Sequence, residues 1–155
     1  MKPYSDDSFF HQHYDNLKVL VFVPHQDDEI NTTGTLLYGL SQCKAQITLV
    51  YSTNGDWEYP AERRFKEAIN TAATSPTGYS ETYGTNTHPD FAFLHEKQHH
   101  SYSSENYLKD LLSIIRKIKA DVIISTDFDH HADHRMMSLY LDKAIGIIKK
   151  RKSLI

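Results

Sequence analysis

Three short runs of β-branched, aliphatic and aromatic residues alternate along this chain with stretches of helical spacing, and that alternation restricts the fold more than any other feature. The runs are Leu17 to Val23, which stops at Pro24, Gln46 to Ser52, which ends in the cluster Thr53-Asn54-Gly55-Asp56, and Asp121 to Thr126. Each reads as a buried strand closed by turn-forming residues. Ile30 to Gln42 places Leu36, Leu37 and Leu40 at helical spacing, and Ala61 to Ala73 aligns Phe65, Ala68, Ile69 and Ala72. Ser104 to Lys119 aligns Leu108, Leu111, Leu112, Ile115 and Ile118, and Asp133 to Lys150 is helical again. Phe91 to Leu94 adds a short strand after a Thr/Ser/Gly/Pro-rich loop from Thr74 to Pro89. Strands alternating with helices imply βαβ units, so the expected class is α/β: a Rossmann-like three-layer α/β/α arrangement with a mostly parallel sheet.

The chain of 155 residues suffices for one core, and neither a repeat nor a linker divides it, so residues 1–155 are read as a single domain. Formal net charge is -3, which leaves no basic footprint for nucleic acid. The polar, acidic start through Asn16 does not resemble a signal peptide, and Leu17 to Val23 is too short to span a bilayer. The expectation is a cytoplasmic protein without a membrane segment, acting on a small molecule, with homo-oligomerisation left open. The one cysteine, Cys43, sits among small and apolar residues and reads as a buried hydrophobe rather than a reactive thiol.

Chemistry gathers where two of the strands end. The first runs into Pro24-His25-Gln26-Asp27-Asp28-Glu29. Acidic residues are also what the positive end of a helix dipole favours, so this motif alone reads equally well as a helix start. As a site, His25 and Asp28 are three residues apart on a tight loop and offer imidazole nitrogen and carboxylate oxygen, ordinary zinc ligands, with Asp27 left as a neighbouring free carboxylate. The last strand ends in Thr126-Asp127-Phe128-Asp129-His130-His131-Ala132-Asp133-His134-Arg135. By itself this is most simply a solvated polar loop. The pair is more informative, because in a sheet of order 3-2-1-4 the first and fourth strands are neighbours at the switch point, where α/β proteins bind ligands. A histidine from the second loop then completes three protein ligands, the number that leaves a catalytic metal with an open position.

These motifs resemble those of the LmbE-like family, which includes the PIG-L-type N-acetylglucosaminyl deacetylases. Pro24 to Glu29 is similar to that family's (A/P)HPDDE motif, and His131-Ala132-Asp133-His134 to its HPDH motif. Ser52-Thr53-Asn54-Gly55-Asp56 is similar to its (T/S)NGD turn, and Arg64-Phe65-Lys66-Glu67-Ala68 to its RxxEA helix start. Gln26 and Ala132 stand where the family has proline, a change expected to alter loop stiffness more than chemistry. The resemblance implies one zinc ion per chain, replaceable by other divalent ions, held by His25, Asp28 and His134. It implies Asp27 as general base, His131 as the group that stabilises the oxyanion or protonates the leaving amine, and Arg64 as a substrate contact. Asp133 is expected either to orient an imidazole or to cap the helix. Trp57 and Tyr59 read as sugar-stacking or packing residues, while His11, His13, His95, His99 and His100 receive no role.

The implied activity is a metal-dependent amidohydrolase, an N-deacetylase that removes an acetyl group from an N-acetylglucosamine-type conjugate. Family members extend past the HPDH helix, so the C-terminal part of their fold is expected to be missing from residues 1–155. That makes a non-catalytic or truncated metal-binding module the first alternative. A metal-dependent phosphoesterase is the second, disfavoured because mixed His/Asp ligands suit zinc better than magnesium.

Overall fold

A computed structural model describes residues 16–53, 60, 62–64, 66–67 and 104–152. The described elements run β1 (Lys18–Val23), α1 (Asp28–Gln42), β2 (Gln46–Tyr51), α2 (Ser104–Ile118), β3 (Val122–Ser125) and α3 (Ala132–Lys152). Residues 62–64 and 66–67 are helical, within the stretch expected from Ala61 to Ala73. The expected strand Phe91 to Leu94, the loop Thr74 to Pro89, Trp57, Tyr59, His11, His13, His95, His99 and His100 lie outside the described residues, as do Asn54, Gly55 and Asp56 of the turn motif.

The sheet has three strands in the order β2-β1-β3, and β1 runs parallel to both neighbours. The expected adjacency of the first and last strands is therefore present. Register pairs Val19 with Ile47 on one side and with Val122 on the other. Two contacts lock the start of β3 to β1: Asp121 N–H donates to Lys18 O at 2.8 Å, and Lys18 N–H donates to Asp121 Oδ2 at 2.9 Å.

The period-2 alternation of β1 divides the interior into two cores. Leu20 and Phe22 pack with Val50 against Tyr107, Leu111 and Ile115 of α2 and Met137, Leu141 and Ala144 of α3. Val19, Val21 and Val23 pack with Ile47, Leu49 and Tyr51 against Leu40 and Ala45, with Leu37 of α1 alongside. With α1 on one face and α2 and α3 on the other, the chain forms the expected three-layer α/β/α arrangement. Val19 through Val23 are all 0% exposed, as a central strand covered on both faces must be. Each such side chain contributes about 1.5–3 kcal/mol by burial.

α1 and α2 stop where a residue enters the left-handed region. Lys44 has φ 56° and Lys119 has φ 52°. After α1, Lys44 N–H donates to Ser41 O at 3.1 Å and Ala45 N–H to Leu40 O at 3.2 Å, the paired bonds of a Schellman motif. That closure turns the chain directly into β2. Cys43, the C-cap of α1, is fully buried, as its apolar setting suggested. Among the described residues, no helix is long and apolar enough to cross a membrane.

Candidate active site

Because the strands are parallel, the loops after β1, β2 and β3 emerge at the same end of the sheet. The first loop is short, and its backbone is pinned to the end of β2. Ser52 N–H donates to Val23 O at 2.9 Å and Thr53 N–H to Pro24 O at 3.1 Å, so the β1–β2 ladder continues past both strands. Thr53 Oγ1 donates to the same Pro24 carbonyl at 2.8 Å. Gln26 is buried, and its Nε2 donates to Thr53 O at 3.2 Å. A proline at this position could not make that tie, so the loop is held by a side-chain hydrogen bond in place of ring stiffness.

α1 begins immediately after this loop. Asp27 is its N-cap residue, and the Asp27 carbonyl accepts the amides of Ile30 and Asn31 at 3.1 and 3.0 Å. The Asp27 side chain does not cap the helix and is 54% exposed. The first helical turn buries Asp28 and Glu29 instead. The dipole explanation of these acids thus holds for their place in the helix, but it does not account for what Asp28 touches.

Asp28 Oδ2 is the meeting point of the two motifs. It accepts the His25 backbone N–H at 2.9 Å, faces His25 Nδ1 at 3.1 Å, and lies 3.3 Å from His134 Nε2. The other nitrogen of each imidazole rests on a second carboxylate: His25 Nε2 on Asp133 Oδ2 at 2.8 Å, and His134 Nδ1 on Asp129 Oδ2 at 2.7 Å. The arrangement is a set of outer carboxylates with inner nitrogens converging on one oxygen. Burial by itself raises the Asp28 pKa, but the hydrogen bond from His25 and the charges of His25 and His134 outweigh it, and the carboxyl is held below its ordinary value. The Asp129 carboxyl is also held low, first by the hydrogen bond from the His131 amide and then by His134.

His131 sits beside this group. Its ring is 4.8 Å from that of His25 and 4.9 Å from that of His134. One nitrogen from each of His25, His131 and His134 lies within 4.8 Å of the others, so these imidazoles also form a group able to hold a metal ion. The hydrogen bonds distinguish His131 from the other two. Its Nδ1 accepts the Asp133 backbone N–H at 3.2 Å, which puts the proton of the neutral ring on Nε2 and makes that atom a donor. His25 and His134 present ring nitrogens toward Asp28, and with its carboxylate they make an N, N, O donor set that fits a divalent metal ion.

The remaining expected residues lie around this core. Asp133 is fully buried, and its carboxylate lies against His25 Nε2 at 2.8 Å, the kind of contact that one of its two expected roles calls for. Arg64, on the helical segment after β2, places Nη2 3.9 Å from Asp27 Oδ1 and Nη1 3.6 Å from Glu67 Oε2. Its guanidinium, on a side chain only 20% exposed, therefore lies beside Asp27. Asp129 was not anticipated from the sequence. The available signal was an Asp two residues before His131, the spacing at which an Asp side chain bonds the backbone ahead of it. Also unanticipated is the buried hydrogen bond of 2.7 Å between Ser52 Oγ and Tyr107 Oη, which ties the end of β2 to α2. Glu29 is buried at the first turn of α1, close to Tyr51, and burial pushes its carboxyl up.

A family model described as GlcNAc-PI de-N-acetylase, PIG-L, matches residues 20–145. Among solved structures, a deacetylase in the biosynthesis pathway of teicoplanin, in its complex with bog, superposes with a TM-score of 0.70 at 16% identity, over 85% of this chain and 64% of that one. A triple mutant of a deacetylase from the teicoplanin pathway gives 0.67 at 18% identity, over 85% of this chain and 60% of the other. GalB, the 4-carboxy-2-hydroxymuconate hydratase from Pseudomonas putida, gives 0.61 at 14% identity, over 83% of this chain and 55% of its own. This chain thus spans under two thirds of the length of each. No curated protein sequence matches it.

Proposed function

The chain belongs to the PIG-L family, and from that premise we propose that it is a zinc-dependent hydrolase that removes the N-acetyl group from an amino-sugar conjugate of the N-acetylglucosamine type. The observation that carries this reading is the convergence of His25 Nδ1 and His134 Nε2 on Asp28 Oδ2, beside a donor imidazole, His131, and next in sequence to Asp27, whose carboxylate does not cap its helix. In the reading, His25, Asp28 and His134 hold the ion. Two imidazoles with one carboxylate favour zinc over magnesium, which prefers oxygen ligands. When bound, the ion supplies a Lewis acid that polarises the amide carbonyl and makes water easier to deprotonate.

The chain's own residues do the rest. Asp27 takes a proton from the attacking water, a role suited to a carboxylate that spends no oxygen on capping its helix. His131 directs its Nε2–H to the oxygen on which charge develops, or gives that proton to the departing nitrogen. The amide C–N bond breaks, and acetate and a free amine leave. Asp133 holds His25, and Arg64 keeps a cationic group beside Asp27 where substrate hydroxyls would lie.

The fold alone does not select this chemistry, since GalB shares it and is a hydratase. The reading is tested by metal analysis of the purified chain together with acetate release from a panel of N-acetylglucosamine conjugates. About one zinc per chain with acetate released supports it. Zinc-loaded, folded protein that releases no acetate from any conjugate favours a metal-binding module without this activity.

A further inference from the structure

The loop between β3 and α3 receives little support from regular secondary structure. Its own carboxylates stitch it: Asp127 Oδ1 accepts the Phe128 amide at 2.7 Å, and Asp129 Oδ1 accepts the His131 amide at 2.7 Å. The Asp127 bond closes locally and reaches no site residue. Asp129 differs because its second oxygen continues to His134 Nδ1, also at 2.7 Å. One side chain therefore grips the backbone of His131 and the ring of His134.

We propose that Asp129 is a positioning residue of this site, which holds His134 by Nδ1 so that Nε2 points inward and holds the His131 backbone in register with it. The inference rests on the reading of His25, Asp28 and His134 as metal ligands. It assigns to His134 the outer carboxylate that Asp133 provides for His25. A ligand imidazole whose second nitrogen is held by a carboxylate keeps its tautomer and orientation, and loss of such a partner weakens metal binding roughly 10–100-fold. The two outer carboxylates differ in setting. Asp133 is 0% exposed, whereas the Asp129 side chain is 48% exposed. Removing Asp129 therefore opens no buried void and leaves the fold in place, which makes its role separable from stability.

The test uses the full chain with Asp129→Ala and Asp129→Asn, read in two ways. Long-range proton–nitrogen NMR of the metal-free protein reports which His134 nitrogen carries a proton, and competition with a chelator reports zinc affinity. The parent shows a protonated Nδ1. Asp129→Ala moves the proton to Nε2, where Asp28 is the remaining acceptor, and weakens zinc by roughly 10–100-fold. Asp129→Asn keeps one oxygen acceptor where the parent uses two, so it cannot hold both the His131 amide and His134 Nδ1, and its zinc affinity falls between those of the parent and Asp129→Ala. An unchanged Nδ1 in Asp129→Ala overturns the proposal, as does parental zinc affinity in that variant when His134→Ala has lost the metal. Parental affinity in His134→Ala overturns the ligand assignment instead, and the NMR result still decides the role of Asp129.

Discussion

His25 Nε2 lies 2.8 Å from Asp133 Oδ2, a contact that joins residues 108 positions apart across the ends of two neighbouring strands. Asp133 is fully buried, and its backbone N–H also serves His131 Nδ1 at 3.2 Å. One residue thus sets the ring of one histidine by its carboxylate and that of another by its amide.

Asp133→Ala is expected to leave His25 without its outer carboxylate while the amide bond to His131 persists. Zinc affinity should fall roughly 10–100-fold, as for other lost partners of ligand imidazoles. Asp133→Asn keeps an oxygen acceptor and should lose less. Chelator competition on both variants checks this, and equal, parental affinities would remove Asp133 from the metal site.

Asp27→Ala should keep the metal and lose turnover. The Asp27 side chain is exposed and does not cap its helix, and among the described residues its ion pair is a 3.9 Å approach to Arg64, so folding should be little affected. Loss of a general base costs roughly 10²–10⁴-fold in rate. Near-normal acetate release by zinc-loaded Asp27→Ala would assign the base to another group.

Tyr107 gives the fold a dependence on alkaline pH. Burial raises its hydroxyl well above the ordinary value of 10.0; the charges of Asp133 and Asp110 add to this, and the bond with Ser52 opposes it. The folded state therefore holds a proton that the unfolded state releases. The resulting stability is fully present below pH 10 and is lost as pH climbs toward the folded-state value. Tyr107→Phe lacks this loss but gives up the Ser52 hydrogen bond, worth about 1 kcal/mol. In urea titrations the parent should be the more stable at neutral pH, and the gap should shrink above pH 10 by up to about 1.4 kcal/mol per pH unit. A gap that stays constant across that range would count against the burial of a neutral hydroxyl.

Gly146 lies inside α3, and a Cβ built there meets none of the described residues within 4 Å. Gly146→Ala should stabilise the chain by about 0.8–1 kcal/mol, the helix-propensity difference, with no void filled and no clash created. That corresponds to a rise in Tm of roughly 2–4 °C for a chain of this size. A lower Tm would mean that a neighbour not seen at this position packs against the glycine.

The elements that place the site were legible in the sequence because their signals are local. The apolar run Val19 to Val23 can be covered only by two layers, and it is fully buried. Leu111 and Ile115 recur at helical spacing and lie in the core with Tyr107. The helix start at Asp28 came two residues earlier than the apolar periodicity showed, because the first turn is built from acids and not from apolar residues. At Gln26, the missing family proline read as a change in stiffness, while its amide reaches Thr53 O, a contact set by loop curvature that no pattern encodes.

What the sequence determined by itself is the alternation of strands and helices, and with it a parallel sheet whose loop ends bring the Pro24–Glu29 and Asp127–His134 motifs to one edge. Periodicity decides which face of a strand or helix is buried, and burial drives the assembly. What only the tertiary structure decided is which atom of each residue faces which. His25 turns Nε2 to Asp133 and Nδ1 to Asp28, His134 turns Nδ1 to Asp129 and Nε2 to Asp28, and Asp27 is left outside. Contacts of 2.7–3.3 Å depend on ångström-scale placement of two loops, and that placement follows from how β1 and β3 pair and where α1 and α3 begin.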